Sequence, residues 1–205
     1  MTIELNISAE PGDLSSLSYT FSLPDWNSVG LLLRDFYMFS QRETLIQSVK
    51  KLEIYCGAHV TFPALLSDSD WQDAEYDFNR LFVGPQALLA PPYASVYIES
   101  EPQLMGRSAQ EIRRLLHALG LSARDENQIP DDHISYEIEL CLLLVKYAPQ
   151  QPIYEEALVW LVSDHMSRWL PKFIARTERG GQTPLLFAIS KVLSLWFSDL
   201  QRRIS

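Results

Sequence analysis

From Trp71 the apolar positions recur at Ala74, Phe78, Leu81 and Phe82, three to four residues apart, and Gly84 follows them. That spacing predicts a helix from about Ser69 to Val83 with the glycine as its stop. The same period runs through most of the chain. Asp25 precedes an apolar run from Trp26 to about Phe39 and suits the residue that accepts the first free N–H groups. Ser40 and Glu43 form an S-x-x-E capping pattern before "TLIQSVKKLEIYC", which should stop near Gly57. Ser108 and Glu111 repeat it before "IRRLLHAL", stopped by Gly120. Pro130 and Asp131 open "IPDDHISYEIELCLLLVKYAP", and Pro149 closes it. Pro152 fits the first turn of the next helix, with Glu155 and Glu156 at its positive end. Trp169 and Pro171 predict a break or kink. "ERGGQTP" reads as a turn, and Thr183-Pro184 starts a last helix reaching about Arg202. No run alternates convincingly as a strand. "LSYTFSLP" in the first two dozen residues could make a short one, but an extended arm fits better. The pattern predicts an all-α protein, a single-domain bundle of about eight helices over residues 26–205. An ill-defined arm, residues 1–25, precedes it, and a proline-rich loop at 84–99 interrupts it.

That loop belongs to "LFVGPQALLAPPYASVY", Leu81 to Tyr97, which is unusually apolar for a segment that Pro85, Pro91 and Pro92 bar from forming a long helix. Leu81 and Phe82 seal the end of the preceding helix. Tyr93 and Tyr97 suit a surface better, because a phenol hydroxyl needs water or a partner.

Composition narrows the function. The 205-residue chain carries a net charge of -9 and no basic run, which opposes nucleic-acid binding and favours a basic partner. "EIRRLLHAL" is too apolar for a DNA-reading helix. "MTIELNISAEPGD" lacks the basic and apolar regions of a secretory signal, and no segment has the apolar length to cross a bilayer, so a cytoplasmic location is expected. Cys56 and Cys141 lie in apolar helical patterns and read as buried thiols. No phosphate-cradling glycine loop and no nucleophile elbow is present. Cys56 and His59 form an isolated C-x-x-H, short of the three or four ligands a zinc site needs.

One polar cluster stands out, "PDDHISYE", Pro130 to Glu137. Asp131 or Asp132 can cap the helix that follows, and His133 and Glu137 fall one turn apart on one face. Capping is the first reading on spacing alone. A metal half-site, an acid–base pair and a recognition site for a basic peptide are the alternatives.

"YDFNRLFVGPQALLAPPYASVY" followed by "PDDHI" resembles the TorD/DmsD family of redox-enzyme maturation chaperones. The resemblance rests on Phe78, Leu81, Phe82, Gly84, Pro85, Pro91, Pro92, Tyr93, Ser95, Tyr97, Asp132 and His133, with a weaker third match in "HMSRWLPKF", His165 to Phe173. It extends from about Trp26 to the C-terminus. Tyr93 and Tyr97 stand where some members carry Trp, and so does Gln86 relative to DmsD-like members. The resemblance implies an all-helical chaperone that binds the twin-arginine signal peptide, or another part, of a DMSO-reductase-type molybdopterin enzyme. It would hold back export until cofactor insertion and folding are complete. It also extends to weak guanine-nucleotide binding and transient association with the membrane or translocase. No catalytic residue, metal or resident cofactor is expected.

A twin-arginine leader needs carboxylates for its guanidinium pair and an aromatic-lined groove for its apolar stretch. Phe82, Leu88, Pro92, Tyr93, Tyr97, Asp131, Asp132, His133 and Glu137 are the expected peptide-binding residues, from two segments packed side by side. The competing expectation is a small metal-dependent hydrolase using His133 with Glu137 or Asp132. A monomer and a dimer swapped at a hinge near 147–152 are both expected oligomeric states.

Overall fold

The computed structural model describes residues 3–5, 25–38, 42–64, 67–101, 105–123 and 129–204. Among these the chain is almost wholly helical. In order the helices are α1 (Trp26–Tyr37), α2 (Arg42–Cys56), α3 (Asp68–Phe82), the single turn α4 (Ser95–Ile98), α5 (Arg107–Ala118), α6 (Ile134–Tyr147), α7 (Pro152–Val159), α8 (Ser167–Gly180) and α9 (Pro184–Ile204). A π-helical stretch, Trp160–Met166, joins α7 to α8 without interruption, so the two form one long rod. Two short strands, β1 (Ile3–Leu5) and β2 (Leu121–Ala123), pair antiparallel, Ile3 opposite Ala123 and Leu5 opposite Leu121. They add a ribbon where no strand was expected, in a segment too short to show alternation.

Helix α6 lies at the centre. Every residue from Ile134 to Cys141 is buried, the mark of a helix covered on all sides. Helix α1 packs on it and on α2. The approach of α1 to α9 needs a glycine, since a Cβ on Gly30 would lie 2.8 Å from Leu142 and from the Trp196 indole nitrogen. One turn earlier Trp26 and Trp196 stack with centroids 5.0 Å apart. Each indole N–H donates to the other residue's carbonyl, at 3.1 and 3.2 Å.

Local signals placed several ends correctly. Asp25 accepts from the Ser28 N–H, Pro152 occupies the first turn of α7, and Gly120 follows α5 with φ of 69°. Others differ. Helix α5 starts at Arg107, and the Ser108 N–H donates not within an S-x-x-E box but to Glu99 at 2.8 Å. Pro171 makes no break. Its missing N–H would have met the Ser167 carbonyl, the first residue after the π stretch, so the lost bond falls at a junction already out of α register. Helix α8 continues through Gly180, leaving a shorter turn than "ERGGQTP" suggested. His59 sits exposed in the turn beyond α2 rather than on a helix. The proposed Ser40 cap and "LSYTFSLP" lie outside the described residues. Cys56 and Cys141 are buried free thiols.

Candidate functional site

The loop after α3 begins with a turn that needs a glycine, Gly84 at φ 103°. The Ala90 N–H then donates to the Leu81 carbonyl and folds the chain back over the helix end. The next residues run antiparallel to the start of α6. Ala94 N–H donates to the Asp132 carbonyl at 3.1 Å, Ile134 N–H donates to the Pro92 carbonyl at 2.9 Å, and Tyr93 and His133 form a β-bridge. The two sequence-predicted segments are thus zipped together through their backbones.

Side chains reinforce the zipper. The Asp132 carboxylate accepts the Ser95 N–H at 2.7 Å and so caps α4, not α6. Its second oxygen, Oδ1, is buried with no hydrogen-bond partner. Helix α6 is capped instead by His133, whose Nδ1 accepts the Ser135 N–H at 3.2 Å. The Tyr93 ring meets the His133 imidazole edge-on at 5.1 Å. Asp131 receives the Arg113 guanidinium of α5 at 2.7 Å.

Glu137 does not pair with His133 as the one-turn spacing suggested. A residue at the cap position turns its side chain back toward its own helix's first N–H groups. Glu137 instead meets His165 of the π stretch at 2.6 Å and accepts from the Trp169 indole at 3.0 Å. Both ends of this pair are buried, and burial pushes the Glu137 carboxyl up. Burial alone would lower His165, but the Glu137 carboxylate, with Asp132 nearby, holds it above the usual imidazole range. His133, fully buried with no such partner, is pushed down to about 3. Burial also raises Asp132, and burial followed by the Asp132 charge raises Tyr93.

Of the nine expected residues, Phe82, Pro92, Asp131, Asp132, His133 and Glu137 are buried, while Leu88, Tyr93 and Tyr97 are partly exposed. Phe82 belongs to an aromatic spine with Tyr37, Phe78 and Phe173. Tyr97 joins that spine, stacked on Trp169 at 5.9 Å, and its hydroxyl is buried rather than at the surface where a phenol was expected, so only part of the ring is accessible. His165 and Trp169 are the members that site reasoning missed. Their signal was present, one turn apart in "HMSRWLPKF". Beside His165 a cleft of about 430 Å³ opens between α5 and the π stretch. No group of three or more His, Cys, Asp or Glu among the described residues is placed to hold a metal. No described helix is long and apolar enough to cross a membrane.

An all-helical bundle, with a proline-broken aromatic loop zipped to an Asp-His helix start, defines a class of small helical proteins that matches known families. Residues 48–175 match the nitrate reductase delta subunit family, and the chain belongs to it. Its curated relatives bear out the TorD/DmsD resemblance. It is 35% identical over 106 residues to the chaperone protein TorD of Psychrobacter sp., covering 50% of this chain and 48% of that one. It is 25% identical over 146 residues to a probable Tat proofreading chaperone DmsD of Haemophilus influenzae, covering 69% of each. The match thus spans about half the length of the first of these relatives. These relatives carry chaperone names and not enzyme names. The fold resembles a putative redox enzyme maturation protein from Archaeoglobus fulgidus, with a TM-score of 0.55, 16% identity, and coverage of 88% of this chain and 99% of that one.

Proposed function

We propose that the protein is a cytoplasmic chaperone for a DMSO-reductase-type molybdoenzyme precursor, acting before export by binding its twin-arginine leader or another part of it. The observation that carries this reading is the backbone zipper between Pro92–Ala94 and Asp132–Ile134, which presents Tyr93 beside buried acids. Leu88, Tyr93 and Tyr97 offer the accessible contact surface. Phe82, Pro92, His133 and Glu137 hold that surface in place from below. Asp131 is taken by Arg113, so the unsatisfied Asp132 oxygen is the acceptor best suited to an incoming guanidinium, reached by movement of the loop.

Burying a few large leader side chains contributes roughly 1.5–3 kcal/mol each. Ordering the leader costs a few kcal/mol. A net affinity near micromolar, about -8 kcal/mol, follows and allows release. The test is titration of a labelled twin-arginine leader into wild type and into folded Tyr93→Ala, Asp132→Ala and His133→Ala variants. Tyr93→Ala is expected to weaken binding about tenfold, about 1.4 kcal/mol. Unchanged affinity in all three sinks the reading.

The hydrolase alternative loses its chemistry here. His133 spends Nδ1 on the helix cap, and Glu137 is committed to His165 and Trp169.

A further inference from the structure

The cleft between α5 and the π stretch is not used by the zipper. One wall carries Glu111, Arg114 and Leu115 of α5, and the other carries Trp160, Asp164 and Arg168, with His165 lining the base. Trp160 is held flat against the His165 ring, 5.5 Å away at 29°. The charges do not cancel. Glu111 is taken by Arg107 at 2.9 Å. Arg114 and Arg168 make no ion pair among the described residues, and Asp164 alone opposes them. In a chain of net charge -9, two guanidiniums opposed by one unpaired carboxylate leave a small local excess of positive charge beside the apolar faces of Trp160 and Leu115.

A bare phosphate would satisfy the guanidiniums but leave Trp160 and Leu115 unused. A basic leader would meet the wrong sign. The lining fits a ligand with carboxylates beside an apolar group, which is the chemistry of an acidic stretch of polypeptide. We propose that this cleft docks an acidic segment of a client polypeptide, its carboxylates on Arg114 and Arg168 and a neighbouring apolar side chain on Trp160 and Leu115. The proposal rests on the chaperone reading and adds to it a second contact, distinct from the surface offered to the leader. His165 joins the two places, since it lines the cleft and grips Glu137 beneath the zipper.

The test uses a labelled peptide of the pattern Gly-Asp-Leu-Glu-Leu-Gly and its Asn/Gln counterpart, titrated into the full chain, into Arg114→Glu and Arg168→Glu, and into the double variant. Both arginines are exposed, so the fold should survive, and circular dichroism checks it. The acidic peptide is expected to bind wild type, to weaken at least tenfold on either reversal, and to outbind its amide counterpart at least tenfold. Equal binding to the double variant, or no binding to wild type, overturns the proposal. Binding of inorganic phosphate alone, with the same dependence on both arginines and without peptide binding, also overturns it. The twin-arginine leader is titrated in parallel. Its affinity should stay within twofold in the arginine variants, which separates failure here from failure of the chaperone reading.

Discussion

His133 and His165 sit in the same core and have their pKa values shifted in opposite directions, because only one of them has a carboxylate partner. Burial holds His133 neutral down to about pH 3, whereas in the unfolded chain it takes a proton near 6.5. Between those values the unfolded state binds more protons, so this residue costs stability as pH falls, by up to about 1.4 kcal/mol per pH unit. His133→Asn keeps an acceptor for the Ser135 N–H and removes the titration. Urea midpoints measured from pH 6.5 down to 4 should fall less steeply for the variant than for wild type, and equal slopes would refute the assignment. His165 is raised by Glu137, so its stabilisation is present below about pH 6.5 and lost as pH rises through its folded value. Glu137 and Asp132, also raised by burial, are present in both proteins, so it is the difference between the two slopes that reports His133.

Helix ends show where sequence patterns carry information and where they stop. Asp25 and Pro152 cap or start their helices through neighbours three residues away or fewer, and both were legible. Ser95 and Ser108 take their acceptors from Asp132 and Glu99, 37 and nine residues away, and neither could be read from spacing. The Glu137–His165 pair spans 28 residues and was misread as a local His133–Glu137 pair for the same reason. The aromatic loop and the Asp-His start were legible as a motif, but their backbone zipper was a proposal until the fold was known. Asp77 is a further case, a carboxylate of α3 that holds the turn leading into α9. Its Oδ2 accepts the Gln182 N–H at 2.7 Å, the Thr183 N–H at 2.8 Å and the Thr183 hydroxyl at 3.0 Å. Removing it leaves those donors without their acceptor, so Asp77→Ala should cost about 2–4 kcal/mol. Asp77→Asn, which keeps one acceptor oxygen, should cost less. Chemical denaturation of both variants checks the order, and equal losses would show that these hydrogen bonds to the turn are not what Asp77 contributes.

At the scale of the whole molecule the net charge of -9 bears on how fast a partner arrives more than on how tightly it stays. A twin-arginine leader is cationic, so the acidic surface should draw it in over distances comparable to the Debye length, about 8–10 Å in ordinary buffers. The contacts proposed to keep it, Leu88, Tyr93 and Tyr97, are apolar or aromatic, and the proposed acceptor, Asp132, is buried, so they respond little to salt. Ionic strength should therefore act on the two rate constants unequally. Stopped-flow mixing with a labelled leader is expected to show the association rate falling about tenfold between 0.01 and 0.5 M salt, while the dissociation rate changes less than twofold. An association rate independent of salt would mean that the negative field does not face the binding surface. A dissociation rate that rises steeply would mean that exposed ion pairs, not the aromatic wall, hold the leader. The acidic peptide proposed for the cleft gives a control within the same molecule. It must reach Arg114 and Arg168 against the overall field, so added salt should speed its arrival or leave it unchanged while weakening the pairs that retain it.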